Sequence, residues 1–369
     1  MKHLSLLLKP ASSLCNMHCA YCFYADVAEN RVVPSYGLMT DETARGILSS
    51  AARDLAPGDE LTIAFQGGEP TLAGIGFFRR FFDMADEILP EVRLHWAFQT
   101  NGLLLDEEWC ALFKERNVLV GISIDGNAPM HNQNRVDMAK KGTYNRVRIA
   151  MEMLRKADVP FNVLTVLTPA MARHPQTVWN WLLAEKIGYV QFIPCLDALN
   201  TEAPSPYALT PGDFKAFYQG LFPLWERALD EGKYVSVKFF EDLVNLYLGR
   251  RATACGITGN CAVQYVIEAN GDAFPCDFYV LDAYRMGSLI AESPSELFAN
   301  GQQFLRDGRG YEEEAPCLGC RYRRTCGGGC KRMKDSMYIE GGICRYQELL
   351  DEILGPLVEA ARRFILKRS

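Results

Sequence analysis

Three cysteines within eight residues, Cys15-Asn-Met-His-Cys19-Ala-Tyr-Cys22, follow the apolar run Leu4 to Leu8 and constrain this chain more than any other stretch. Thiolates are the soft ligands that the iron of a cubane cluster prefers, and three of them can hold three of its irons. The fourth iron then keeps an open position at which a small molecule can be bound and reduced. A four-thiolate set instead serves structure or electron transfer. A zinc site or simple buried thiols is the competing reading, and for a lone Cys-x-x-Cys it is the better one. The extra Cys-x3-Cys spacing and Tyr21 beside the last cysteine favour the cluster.

A chain of 369 residues with 49% hydrophobic content can fill one large barrel plus a smaller domain. The net charge of −6, with no basic run, argues against a nucleic-acid partner. The apolar stretch after Met1-Lys2-His3 ends at Lys9-Pro10, short of a signal-peptide core, and no membrane-spanning run follows. The location read from this is cytoplasmic. Thirteen cysteines in such a compartment argue for metal binding rather than disulfides, and the odd total agrees. Eight of them lie in the last third, enough for two closed four-ligand sites beside the early trio, while Cys110 and Cys195 stand alone.

The pattern predicts alternating strands and helices. Strands are expected at Leu4–Lys9, Leu61–Phe65, Leu94–Thr100, Val118–Ile124, Phe161–Leu167 and Val190–Pro194. Helices are expected from Thr40 to about Leu55, at Ile75–Ile88, and near 107–116, 143–157, 175–186 and 211–231. Six such units in series imply a parallel sheet with right-handed crossovers, too few for a closed eight-fold barrel. The fold class is therefore α/β, a partial (β/α)6 TIM-like barrel over residues 1–234, followed at 235–369 by a cysteine-rich domain ending in a helix. Chemistry in such folds gathers at the C-terminal strand ends. There lie the cysteine loop, Gly67-Gly68-Glu69, Gln99-Thr100-Asn101, Ser123-Ile124-Asp125-Gly126 and Cys195-Leu196-Asp197. Paired glycines let a backbone approach a ligand closely, although taken alone an ordinary strand-to-helix turn is the better reading of them.

After a composition shift near 235, a strand is expected at Val235–Phe239 and a helix at Glu241–Leu248. Ala262–Glu268 and Ala273–Cys276 flank Ala-Asn-Gly-Asp, a hairpin signal that brings Cys261 and Cys276 to neighbouring ends. Cys317-x2-Cys320-x5-Cys326-x3-Cys330, then Cys344, is the second strong cysteine pattern. A zinc ribbon or a pair of zinc sites is not excluded by spacing alone.

Cys-x3-Cys-x2-Cys resembles the signature of the radical S-adenosylmethionine enzymes, and the later cysteines resemble the twin-cluster SPASM extension of its peptide-modifying members. Lys9-Pro-Ala-Ser-Ser13, Cys22-Phe-Tyr24, Ala64-Phe-Gln-Gly-Gly-Glu-Pro-Thr-Leu-Ala-Gly74 and Pro275-Cys-Asp-Phe-Tyr-Val-Leu-Asp282 resemble the anaerobic sulfatase-maturating enzymes over nearly the whole chain. That resemblance implies oxidation of a sulfatase cysteine or serine to Cα-formylglycine, using S-adenosylmethionine and three [4Fe-4S] clusters. By it, Cys15, Cys19 and Cys22 hold the open cluster. Cys255, Cys261, Cys276 and Cys330 hold one auxiliary cluster, and Cys317, Cys320, Cys326 and Cys344 the other. Gly68 corresponds to the segment that binds the methionine amino group, Ser123 to a ribose or carboxylate contact and Arg135 to a carboxylate contact. Tyr21 and Leu196 match positions near the adenine.

The implied chemistry starts with a 5′-deoxyadenosyl radical taking hydrogen from the target Cβ. A base then removes the heteroatom proton and an acceptor takes one electron. Asp277 resembles the family's base, against the reading that it is a solvated carboxylate like Asp272 or Asp282. The auxiliary clusters are expected to accept or relay the electron. Tyr24, Gln66 and Gln99 are candidate contacts to the peptide, with core packing the alternative for the glutamines. The expected partners are an unfolded sulfatase segment of the type Cys/Ser-x-Pro-x-Arg and a flavodoxin or ferredoxin donor, with no nucleic acid and no membrane. The alternatives are another SPASM peptide maturase, making thioethers, carbon–carbon links or epimers, and a cluster-bearing scaffold without catalysis. Such maturases often carry an N-terminal recognition domain, whereas here the first strand is expected almost at Met1.

Overall fold

The structure is a computed structural model and describes residues 1–201, 203–306 and 315–366. Its strands are β1 (His3–Leu8), β2 (Met17–Cys19), β3 (Glu60–Phe65), β4 (Arg93–Thr100), β5 (Leu119–Ser123), β6 (Arg135–Asp137) and β7 (Phe161–Leu167). They continue as β8 (Tyr189–Pro194), β9 (Ser236–Val237), β10 (Val266–Ile267), β11 (Asp272–Phe274), β12 (Gly287–Ser288), β13 (Ile339–Glu340) and β14 (Ile343–Cys344). The helices open with α1 (Phe23–Glu29), α2 (Asp41–Ala52), α3 (Ile75–Ile88), α4 (Glu107–Glu115), α5 (Ala128–Asn134), α6 (Tyr144–Lys156) and α7 (Pro169–Ala172). After them come α8 (Pro175–Ala184), α9 (Pro211–Asp230), α10 (Lys238–Tyr247), α11 (Pro294–Arg306), α12 (Ala315–Leu318), α13 (Arg323–Cys326) and α14 (Arg345–Leu366).

All six β/α repeats expected from the sequence are present, in a parallel-dominated α/β fold of the partial-barrel class. The chain divides into two compact units. The first comprises Met1–Ser123, Arg135–Phe161 and Ala262–Arg306, and the second Ile124–Asn134, Asn162–Cys261 and the described part of 307–369. In the first, β1, β3, β4 and β5 are neighbours in parallel, and β10 joins the free edge of β1 in parallel. Antiparallel β11 and β12 extend that edge. In the second, β7, β8 and β9 pair in parallel.

Local sequence explains the elements. Thr40 caps α2 by accepting from the Thr43 amide, and Asp106 caps α4 by accepting from Trp109. Alternation along β3 turns Leu61, Ile63 and Phe65 inward, each with no exposure. Phe65 is packed edge-on by Phe78 and Phe81, with centroids 5.0 and 5.2 Å away, and Trp109 continues the cluster through Phe78 and Phe98. Each such ring contributes about 2 kcal/mol on burial. Among the described residues no helix is long and apolar enough to cross a membrane.

Two expected boundaries shift. The strand expected to run to Phe239 stops at Val237, because β9 needs only Ser236 and Val237 to pair with Tyr189 and Val190. From Lys238 the chain turns helical, which buries Phe239, Phe240 and Leu243 on one face and pairs Lys238 with Asp242. The hairpin strands are likewise shorter than expected, although Gln264 N still donates to Pro275 O at 2.8 Å. Its turn has Gly271 at φ +88°, the conformation that glycine takes without strain.

Candidate active site

In the first unit, strand β1 delivers Lys9 into the interior just before Pro10. The side chain has no exposure, and its Nζ lies 2.6 Å from Asp277 Oδ1. Asp277 opens the turn after β11, and Gln66, at the end of β3, donates from Nε2 to Asp277 Oδ2 at 2.7 Å. The carboxylate thus has one donor on each oxygen and retains 12% side-chain exposure. Phe278 packs edge-on against Phe23 at 5.0 Å, which ties this turn to helix α1 and so to Cys22 at its N-cap.

Tyr24, one residue further along α1, places its ring under the Lys9 ammonium, 3.6 Å from Nζ to centroid. Its hydroxyl donates to Glu268, a carboxylate with no exposure that also accepts from Arg31 Nη1 at 2.5 Å. Burial, then the Glu268 charge, pushes the Tyr24 hydroxyl well above its ordinary value. Its hydroxyl is therefore committed to Glu268 as a donor.

The cysteine trio is organised by the glycine loop. Gly68 N donates to Ser12 O and Glu69 N to Leu14 O, both at 2.8 Å, so the two strand-end loops run together. A Cβ on Gly68 would meet Leu14 O at 2.0 Å, and Gly67 holds φ +130°, so both glycines are required there. The Glu69 carboxylate is buried and accepts from the Thr71 amide and hydroxyl, the Thr100 hydroxyl and the Asn101 amide at 2.7 to 3.1 Å. Burial raises this carboxyl from its ordinary value against those hydrogen bonds. Asn101 in turn donates to Asn16 Oδ1 at 2.7 Å and reaches Cys15 Sγ at 3.8 Å.

Burial pushes the Cys15 thiol up to about 12, and the charges of Glu69, Cys19 and Cys22 act in the same direction. Three thiols and a carboxylate sharing one neighbourhood disfavour bare thiolates, and a cationic iron core is the kind of group that offsets this. The donor set therefore fits an iron–sulfur cluster. Among the described residues no three or more His, Cys, Asp or Glu side chains close around the position of a single ion. That arrangement differs from what a cubane needs, which takes each thiol at a separate iron.

The β2–β6 ribbon sets Arg135 opposite Cys19, with its guanidinium 5.5 Å from the Tyr21 ring centroid. Arg135 is buried rather than on the surface. Gln99 Nε2 donates to Ser123 Oγ at 2.9 Å, which joins the ends of β4 and β5. These residues, with Gly68, lie in the first unit; Leu196 is buried in the second.

In the second unit, Cys317, Cys320, Cys326 and Cys344 line one cavity together with Tyr338 and Tyr346. Burial pushes Cys326 up to about 12, reinforced by Cys344, Cys317 and Cys320. The long gap before Cys344 is bridged by β13 and β14, which return the chain to the other three thiols. Cys330 is raised by burial and senses Cys261, and its amide donates to Gly256 O at 3.0 Å, one residue from Cys255. Cys276 belongs to the first unit. Four thiols that line a cavity without closing on the position of a single ion are the donor set of an iron–sulfur cluster, which takes each thiol at a separate iron. Cys110 and Cys195 are buried, in α4 and after β8.

Sequence reasoning overlooked Lys9, Glu268 and Arg31. The signal available was a lysine at the end of an apolar strand, where a charge is costly unless paired.

Residues 10–174 match the radical SAM superfamily. A cysteine-type anaerobic sulfatase-maturating enzyme of Clostridium novyi (strain NT) is 37% identical over 343 residues, covering 92% of this chain and 91% of the relative. A serine-type anaerobic sulfatase-maturating enzyme of Klebsiella aerogenes is 26% identical over 353 residues, covering 95% and 85%. The solved structure of native anSMEcpe with bound AdoMet and the Kp18Cys peptide superimposes with a TM-score of 0.89 at 35% identity, covering 98% of this chain and 99% of the other.

Proposed function

This chain belongs to the anaerobic sulfatase-maturating enzymes of the radical SAM superfamily, and on that premise we propose how its residues divide the work. It is a radical SAM oxidoreductase that converts a cysteine or serine of a sulfatase to Cα-formylglycine, with S-adenosylmethionine and an iron–sulfur cluster. The 37% identity to a cysteine-type relative, against 26% to a serine-type one, supports cysteine as the target.

Cys15, Cys19 and Cys22 would hold the cluster with the open iron, which would supply the electron that cleaves S-adenosylmethionine to methionine and the 5′-deoxyadenosyl radical, the species that takes hydrogen from the target Cβ. Gly68, Ser123 and Arg135 bind the polar groups of S-adenosylmethionine, while Tyr21 and Leu196 flank its adenine. Asp277 accepts the proton of the target thiol, an auxiliary cluster would accept the remaining electron to leave a thioaldehyde, and water then replaces its sulfur, released as hydrogen sulfide, to give the aldehyde. Gln66 and Gln99 position the peptide, and Tyr24 contributes its ring rather than its hydroxyl. Two further [4Fe-4S] clusters lie on Cys255, Cys261, Cys276 and Cys330, and on Cys317, Cys320, Cys326 and Cys344. The functional division falls at residues 1–234 and 235–369. The substrate is an extended Cys-x-Pro-x-Arg segment, the electron donor a flavodoxin or ferredoxin, and the location the cytoplasm.

The observation that carries the assignment of the base is Asp277 fixed at both oxygens, by Lys9 and Gln66, with 12% of its side chain still exposed. Anaerobically reconstituted protein is incubated with S-adenosylmethionine, dithionite and either a Cys-x-Pro-x-Arg or a Ser-x-Pro-x-Arg peptide, and products are read by mass spectrometry. Aldehyde on the cysteine peptide is expected. Release of 5′-deoxyadenosine with neither peptide changed would refute the substrate assignment.

A further inference from the structure

We propose that Lys9 is a positioning residue for this oxidation, acting through Asp277, with the Tyr24 ring and the Glu268–Arg31 pair holding its ammonium in place. The proposal rests on the assignment of Asp277 as the base.

Lys9 is wholly enclosed, a position in which a lysine persists when its charge is paired. Its ammonium has two neighbours of the right kind, Asp277 Oδ1 at 2.6 Å and the face of Tyr24 at 3.6 Å. The ring is itself anchored, since tilting it away from Lys9 would pull its hydroxyl from Glu268. Glu268 is held by Arg31 Nη1, and Arg31 Nη2 donates to Pro34 O at 2.7 Å. The backbone closes the set, because Lys9 N donates at 2.8 Å to the carbonyl of Ile267, the residue before Glu268.

Two buried ion pairs are thus joined through one aromatic ring. For a proton acceptor the consequence is orientation. Lys9 occupies one lone pair of Oδ1 and Gln66 one of Oδ2, so the carboxylate plane cannot rotate and one lone pair per oxygen is left to receive the target's proton. With Lys9 removed, Gln66 alone holds one oxygen and the acceptor is free to swing. Hydrogen abstraction from Cβ would continue, while proton removal from the heteroatom would fall behind it. A lysine that only balanced a buried charge would alter stability and leave this coupling intact.

The test compares wild type with Lys9→Met, Lys9→Gln, Lys9→Arg and Asp277→Asn in the reconstituted full chain with the cysteine peptide. The quantities read are 5′-deoxyadenosine released per aldehyde formed, the peptide KM, and the EPR spectrum of the reduced protein with S-adenosylmethionine. Lys9→Met is expected to raise the ratio about tenfold or more, with KM within about twofold and the EPR spectrum unchanged. Lys9→Arg should recover part of the coupling. If Lys9→Met does not fold, Lys9→Gln, whose amide stops one bond short of the Nζ that reaches Asp277, carries the same measurement. Wild-type coupling in the folded Lys9→Met or Lys9→Gln protein, with Asp277→Asn uncoupled, overturns the role of Lys9 alone. Wild-type coupling in Asp277→Asn overturns the assignment of the base as well.

Discussion

The surroundings of Cys15 and of Cys326 pose the same electrostatic problem and answer it differently. Both thiols are pushed up to about 12, with burial the main cause and neighbouring thiols adding to it. Around Cys15 the neighbours are polar and mutually bonded: Glu69, Thr100, Asn101 and the paired glycines, with Arg135 beside Tyr21. Around Cys326 the wall holds three more thiols and the rings of Tyr322, Tyr338 and Tyr346, with Arg323 and Gln347 its polar members. Three thiols in a polar rim leave room for a ligand with charged groups, whereas four thiols behind aromatic rings use up their donors on the group they enclose. On the proposed assignment, the first region admits a reactant and the second excludes it.

Asp277→Asn gives the largest expected effect and separates the reacting region from the rest. Aldehyde formation should fall about 100-fold or more while 5′-deoxyadenosine release continues, as quantified by chromatography. Cys326→Ser should next remove iron from the closed region while the response to S-adenosylmethionine persists, as followed by iron analysis and EPR. Glu69→Gln sharpens the contrast, because its amide would face the Asn101 N–H that Glu69 accepts. A cost of about 1–3 kcal/mol in thermal unfolding is expected, with a weaker S-adenosylmethionine response. In the closed region Tyr338→Phe removes only the hydrogen bond to Gly256 O, and should cost about 1 kcal/mol in the same measurement. The smallest effect is on reactivity in the metal-free protein. A thiol raised to about 12 is mostly protonated at pH 8, so Cys326 should be alkylated by iodoacetamide more slowly than the exposed Cys255. Its rate should climb as pH rises towards 12, which peptide mapping would follow.

Much of this was legible in the sequence because it is local. The apolar strand runs and the cap at Thr40 recur where the pattern put them. The turn at Gly271 needed only its Asn-Gly pair. The β2–β6 ribbon was not legible, since three residues carry no period and its partner lies more than a hundred residues away. Lys9 illustrates the same limit. Its pairing partner is 268 residues distant, and nothing near Lys9 in the chain announces an acid. Glu268 was hidden within a strand-and-turn pattern, where an acidic residue ordinarily faces water. The grouping of Cys344 with Cys317, Cys320 and Cys326 came from family resemblance rather than spacing, because the two-residue strands that return it are too short to read.

The most direct measurement replaces Cys15, Cys19 and Cys22 together by alanine and titrates the reduced protein with S-adenosylmethionine under EPR, with iron counted in parallel. The expected result is a fall from roughly twelve irons to about eight, with the remaining signals unmoved by S-adenosylmethionine. A triple variant whose spectrum still shifts on adding S-adenosylmethionine would place the open iron elsewhere and contradict the division between the two regions.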